Sequence, residues 1–191
     1  MRPARPLGYG WTVEHRLDGE RSRIAFSNSG SCGAAFLIYD GLDRESPPRR
    51  YAVSAGSSIV DEWKLATKGD AYNRRIHGPN GYFAAMRGFA DDGLEASVRG
   101  RAGTRALEVT LSNSSGRPVA CRIANAYGRE PSQSITVAPA GNQVVILDLA
   151  SSAGWYDVAI TMPEAPRYLR RFAGHHEDGR PSTSDPGPRA G

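Results

Sequence analysis

Cysteine is nearly absent from this 191-residue chain, with Cys32 and Cys121 its only two. That excludes a disulfide scaffold and a zinc site built from thiolates, and leaves both to read as small buried hydrophobes. Histidine is scarce as well, limited to His15, His77, His175 and His176. Metal-assisted hydrolysis commonly draws on clustered His and carboxylates, and this chain is poor in the first. His175-His176-Glu177-Asp178 is the only dense stretch, and neighbouring ligands in an extended segment point in different directions. No Gly-x-Ser-x-Gly elbow and no Gly-x-x-x-x-Gly-Lys-Ser/Thr string occurs, so neither a serine hydrolase turn nor a phosphate-cradling loop is marked. Long apolar runs are missing too, whereas a membrane-spanning helix needs about 20 such residues. The basic start Met1-Arg2-Pro3-Ala4-Arg5-Pro6 has no apolar stretch behind it and does not read as a signal peptide; if the protein is exported, its signal is expected to lie outside this sequence.

Lysine is limited to Lys64 and Lys68 among 24 basic residues, and the formal net charge of +4 is carried by arginine. Guanidinium suits bidentate phosphate recognition, which permits phosphate-rich partners, although an arginine-favouring genome is the readier account of the bias. No nucleic-acid partner and no cofactor is implied.

The sequence does contain a repeat. Phe26-Ser27-Asn28-Ser29 returns as Leu111-Ser112-Asn113-Ser114, and Val53-Ser54-Ala55-Gly56 returns as Val137-Ala138-Pro139-Ala140-Gly141. Tyr72-Asn73 with Ile76 matches Tyr156-Asp157 with Ile160, and Tyr82 through Gly88 matches Tyr168 through Gly174. Order and spacing persist at an offset of 84 to 86, which identifies two copies of one unit. Apolar residues alternate within both, as in Leu107, Val109 and Leu111, or Tyr156, Val158, Ile160 and Met162, which is strand periodicity. Turn signals at Asp18-Gly19, Asn28 to Gly33, Ala55-Gly56, Gly78-Pro79-Asn80-Gly81 and Ala140-Gly141 punctuate the runs as in a β-sandwich, with about seven strands per copy.

The predicted fold is therefore all-β: two tandem immunoglobulin-like β-sandwich modules, residues 1–90 and 91–174, with an extended Gly/Pro/Ser tail over residues 175–191. The hinge falls at Ala90-Asp91-Asp92-Gly93, and so short a linker predicts sandwiches placed end to end.

Three segments carry a resemblance. They are His77-Gly78-Pro79-Asn80-Gly81 after the first Tyr-Asn strand, the Tyr156-Asp157 strand, and the ending Gly179-Arg180-Pro181-Ser182-Thr183-Ser184-Asp185-Pro186. In this order, after an Arg2-Pro3-Ala4-Arg5-Pro6-Leu7 entry, they resemble the tandem C-terminal domains of bacterial phosphocholine-preferring phospholipases C. The resemblance implies a parent enzyme, secreted or periplasmic, that hydrolyses phosphatidylcholine or sphingomyelin to phosphocholine in a separate, metal-dependent catalytic domain. It carries no catalytic or metal-binding residue onto this chain. It implies the catalytic domain as partner, in cis or in trans, for an accessory region that stabilises it or positions it at the lipid surface.

The remaining candidates are surface residues. Arg167, Tyr168, Arg170 and Arg171, with Arg180 in the ending, form an aromatic and guanidinium mixture suited to phosphate head groups or an acidic protein face. A stand-alone module binding phospholipid or another polyanion is the second reading. Tyr168, Arg170 and Phe172 share one side of a strand, so that side is expected to face solvent or to contain a bulge; an edge strand guarded by charge explains the same pattern.

Overall fold

The computed structural model describes residues 2–18, 20–65, 70–128 and 131–187. Gly19 of the expected Asp18-Gly19 turn and the last four residues of the tail lie outside them. The first repeat holds β1 (Pro3–Ala4), β2 (Trp11–Asp18), β3 (Arg21–Asn28), β4 (Ala34–Asp40), β5 (Arg49–Val53), β6 (Ser58–Lys64), β7 (Ala71–His77) and β8 (Phe83–Phe89). The second holds β9 (Leu94–Gly100), β10 (Ala106–Asn113), β11 (Val119–Asn125), β12 (Gln133–Val137), β13 (Asn142–Asp148), β14 (Trp155–Met162) and β15 (Ala165–His175), and β16 (Ser182–Thr183) lies in the tail. A single 3₁₀ turn, Ala150–Ser152, interrupts the β structure of the described residues.

Each strand buries alternate side chains because one sheet face meets the core and the other meets water. In β10, Leu107, Val109, Leu111 and Asn113 are buried while the residues between them are partly exposed. The strands form two three-stranded sheets, β2-β3-β6 and β13-β10-β9, and one eight-stranded sheet in the order β12-β11-β14-β15-β8-β7-β4-β5. Phe26 of β3 and Phe36 of β4 stack between the layers with ring centroids 4.7 Å apart. One hydrophobic cluster runs through both repeats.

Asn28 and Asn113, the fixed point of the repeated Ser-Asn-Ser, show why that motif recurs. Each buried amide donates to the loop that follows and to the strand after next, Asn28 to the Cys32 carbonyl and the Val53 carbonyl of β5, and Asn113 to those of Arg117 and of Val137 in β12. Each side-chain oxygen accepts from the backbone two residues on. The amide therefore closes a loop that would otherwise bury unpaired backbone groups.

The repeats do not lie end to end. β8 and β15 pair antiparallel, so the two larger sheets merge side by side into one. Arg170 faces Met86 and Phe172 faces Ala84, pairs that the repeat offset exchanges, which places an approximate twofold axis at the Arg171–Ala85 pair. The reason is that both repeats end in a strand with an open edge, and pairing the two edges satisfies both rows of backbone groups. The cysteines also split: Cys121 is buried, with its thiol pushed up to about 11 by desolvation, but Cys32 is exposed.

Candidate functional site

The polar side chains that the packing concentrates lie at the seam between the repeats. β15 is flanked by β14 and β8 and is not an edge strand, so its alternation sends Tyr168, Arg170 and Phe172 into the core and Arg167, Leu169 and Arg171 outward. This corrects the surface assignment of Tyr168 and Arg170, which are 1% and 0% exposed. Arg170 donates to the Tyr72 hydroxyl of β7, to the Arg87 carbonyl of β8 at 3.1 Å and to Glu95 Oε2 of β9 at 3.1 Å. Glu95 Oε2 also lies 3.0 Å from His15 Nδ1 of β2, whose Nε2 is 2.8 Å from Ser22 Oγ of β3. Six strands, β2, β3, β7, β8, β9 and β15, thus meet in one network around a buried arginine.

Burial holds the His15 imidazole below its ordinary value despite the opposing pull of Glu95. Burial alone would raise Glu95, but Arg170 and His15 outweigh it and hold this carboxylate below the usual range. A neutral His15 that donates from Nδ1 to Glu95 and accepts the Ser22 proton at Nε2 fits both directions. Copy one has Ala84 where copy two has Arg170, so the axis accommodates one guanidinium, not two. A second one would bury a charge with no further carboxylate to meet it.

The tail forms a strap across one end of the sheet. β16 pairs with β1 in the register Pro3–Thr183 and Ala4–Ser182. Trp155 Nε1 donates to the Thr183 carbonyl at 2.9 Å, and the Tyr127 hydroxyl donates to Asp185 at 2.6 Å. Glu177 joins three segments: it accepts from Asn80 of the Gly78–Gly81 turn at 2.8 Å and from the Leu7 backbone at 3.1 Å, and lies 3.0 Å from His175 Nδ1. Asn80 and Gly81 hold φ of 52° and 72°, the paired positive values that an Asn-Gly hairpin turn supplies at low cost. The His-Gly-Pro-Asn-Gly turn therefore meets Glu177, just before the Gly-Arg-Pro-Ser-x-Ser-Asp-Pro ending, and is linked to Ser182 of that ending through His175.

Within the strap, Ser182 Oγ lies 2.8 Å from His175 Nε2, which completes a Ser-His-Glu line with Glu177. Sequence reasoning missed it because Ser182 and His175 meet only when the strap folds back. The hydroxyl is buried and also lies 2.8 Å from the Ala153 carbonyl, a second acceptor within reach of its proton. The imidazole and the carbonyl therefore compete for the serine proton, and the hydroxyl ties the strap to the turn at Ala153.

The other candidates are exposed. Arg171 holds Asp157 with two bonds of 2.7 and 2.6 Å, Arg167 lies over the Phe89 ring at 5.5 Å, and Arg180 stands 4.0 Å from Asp178. A cleft of about 860 Å³ opens over the seam between Thr12, Glu14 and Arg16 of β2 and Ser97, Arg99 and Thr110 of the second repeat. Among the described residues, no group of three or more His, Cys, Asp or Glu side chains is arranged to hold a metal ion. No helix among them is long and apolar enough to cross a membrane.

The fold is a duplicated all-β unit in which Arg170, Glu95 and His15 hold the seam and Glu177, His175 and Ser182 hold the strap. The chain belongs to the family of bacterial phospholipase C C-terminal domains, whose model matches residues 3–89 and again 94–175. It is 35% identical to the non-hemolytic phospholipase C of Pseudomonas aeruginosa over 98% of its own length, and 34% identical to that of Burkholderia pseudomallei over 97%. The hemolytic phospholipase C of P. aeruginosa is 35% identical over 97% of the chain. The chain spans only 28% of the length of the two non-hemolytic relatives and 29% of the hemolytic one. Likeness to the crystal structure of red sea bream transglutaminase is weak, with a TM-score of 0.31 and 13% identity over 90% of this chain and 32% of that one.

Proposed function

We propose that the chain is a non-catalytic accessory region of a phospholipase C, stabilising the catalytic part or positioning it at the lipid surface. The observation that carries this reading is the double family match by a chain covering only 28% of relatives named for the activity. The engagement of Ser182, His175 and Glu177 in the strap supports it. The catalytic part is the partner in cis, and the parent enzyme works in the periplasm or outside the cell. The test is to remove the matching region from a full-length relative. Turnover of a soluble choline phosphodiester per folded molecule should persist, while stability, yield or activity on vesicles drops. Loss of soluble-substrate turnover by a catalytic part that remains folded overturns the reading.

A further inference from the structure

The outer face of the eight-stranded sheet carries the most one-sided charge of the molecule. The alternation that buries Tyr72, Arg74 and Ile76 in β7, and Tyr168, Arg170 and Phe172 in β15, turns the intervening residues of all eight strands to one side. Arg50, Arg75, Arg87, Arg122, Arg167 and Arg171 stand there, with Asp157 as the carboxylate among the strand residues of that face. Only Arg171 of the six has an ion pair among the described residues, and it takes up Asp157. The three-stranded sheets on the other side mix their signs: Arg16 pairs with Glu14, and Arg21 and Arg23 both pair with Glu62. Charge is therefore segregated by layer.

We propose that this face is a docking surface for an anionic phospholipid bilayer. The register shows how the guanidiniums are spaced. Ala85 pairs with Arg75 on one side and Arg171 on the other, and Arg87 follows it on the same face. Arg122 lies further out, opposite Thr161. Neighbouring strands lie about 4.8 Å apart, so Arg75 and Arg171 stand roughly 10 Å from each other across the alanine. Dispersed single arginines separated by small residues suit head groups that diffuse laterally and meet each guanidinium in turn. A folded acidic partner would need a fixed pattern of carboxylates to match them. Aromatic rings share the face: Tyr39, His77 and Phe83 run edge to face at 5.5 and 5.2 Å, and Arg171 and Arg167 lie over Phe83 and Phe89. Rings beside guanidiniums are the mixture that settles at a bilayer interface. Arg167 and Arg171 belong to this surface, whereas Tyr168 and Arg170 of the same strand belong to the seam.

The inference deepens the accessory reading by naming the surface that would position the enzyme, and binding by this chain alone can fail without touching that reading. The test is sedimentation of the full 191-residue chain with phosphatidylcholine vesicles, with and without about 30 mol% phosphatidylglycerol, at about 0.05 and 0.5 M salt. The anionic vesicles should bind the chain at low salt and release it at high salt. The triple change Arg75→Glu, Arg87→Glu and Arg122→Glu should weaken binding at least about tenfold. The same charge change on the opposite layer, Arg16→Glu, Arg23→Glu and Arg99→Glu, should retain most of it; thermal melts confirm that each variant is folded. Absence of binding by the unaltered chain overturns the proposal, as do equal losses for the two triples or no loss for the first. Retention on a heparin column without vesicle binding also overturns it and points to a polyanionic macromolecule instead.

Discussion

His15 Nδ1 and Glu95 Oε2 lie 3.0 Å apart across the seam, one from the first strand after the entry segment and the other from the strand that opens the second repeat. The same carboxylate oxygen meets Arg170 at 3.1 Å, so the charge that joins the repeats is held from both sides.

Removing Arg170 leaves Glu95, only 18% exposed, without its cation. Arg170→Ala should therefore cost about 3–5 kcal/mol, as breaking a buried pair does. Arg171→Ala, which frees a side chain 47% exposed, should cost no more than about 1 kcal/mol. Urea denaturation of the two variants measures the difference. Equal costs would show that Arg170 does not bind the seam together.

Acid should loosen the same joint. The folded values of both His15 and Glu95 are depressed, His15 by burial and Glu95 by Arg170 and His15 in spite of burial. The unfolded chain therefore binds more protons, and stability falls as the pH falls. The His15 contribution is full above its ordinary value of 6.5 and declines below it. That of Glu95 is full above 4.5 and is lost as the pH drops through the folded value. Melting temperatures should hold from about pH 7.5 down to 6.5 and decline from there to about pH 4, and Glu95→Gln should flatten the lower part of the curve. A flat profile in the unaltered chain contradicts this account of the seam.

The strap is fixed by single hydrogen bonds that can be removed one at a time. Ending the chain before Gly179 removes β16, the Thr183 carbonyl that Trp155 donates to and the Asp185 partner of Tyr127. Tryptophan emission should shift to the red and the melting temperature should drop. Ser182→Ala alone should cost about 1 kcal/mol, the net value of a buried hydrogen bond. Unchanged emission after truncation would mean that the strap does not cover Trp155.

The repeat and the strand alternation were legible because each reports a local rule, burial on every second residue and a turn at every reversal. Asn28 and Asn113 stood out as recurring letters, and the structure gives them matching bonds. Tyr168 and Arg170 were misread for a reason that alternation cannot supply. Which face of a strand meets water depends on what pairs beside it, and β15 has a neighbour from 80 residues upstream. Arg170 looked like a surface charge because a lone arginine among aromatics carries no sign of its distant carboxylate. The Ser182–His175–Glu177 line escaped for a similar reason, since the strap must first fold back onto Trp155. The arginine face could not be seen until the two sheets were known to be one.

The separation of this region from the chemistry is tested most directly by assaying the purified chain on a soluble choline phosphodiester, with divalent metals added, beside a full-length relative. The account predicts turnover by the relative and none by the chain, whose Ser182 hydroxyl has the Ala153 carbonyl as a competing acceptor and whose His15 and His175 are engaged at seam and strap. Chelator-sensitive turnover by the chain, free of contaminating enzyme and abolished by Ser182→Ala or His175→Gln in a folded variant, would contradict it.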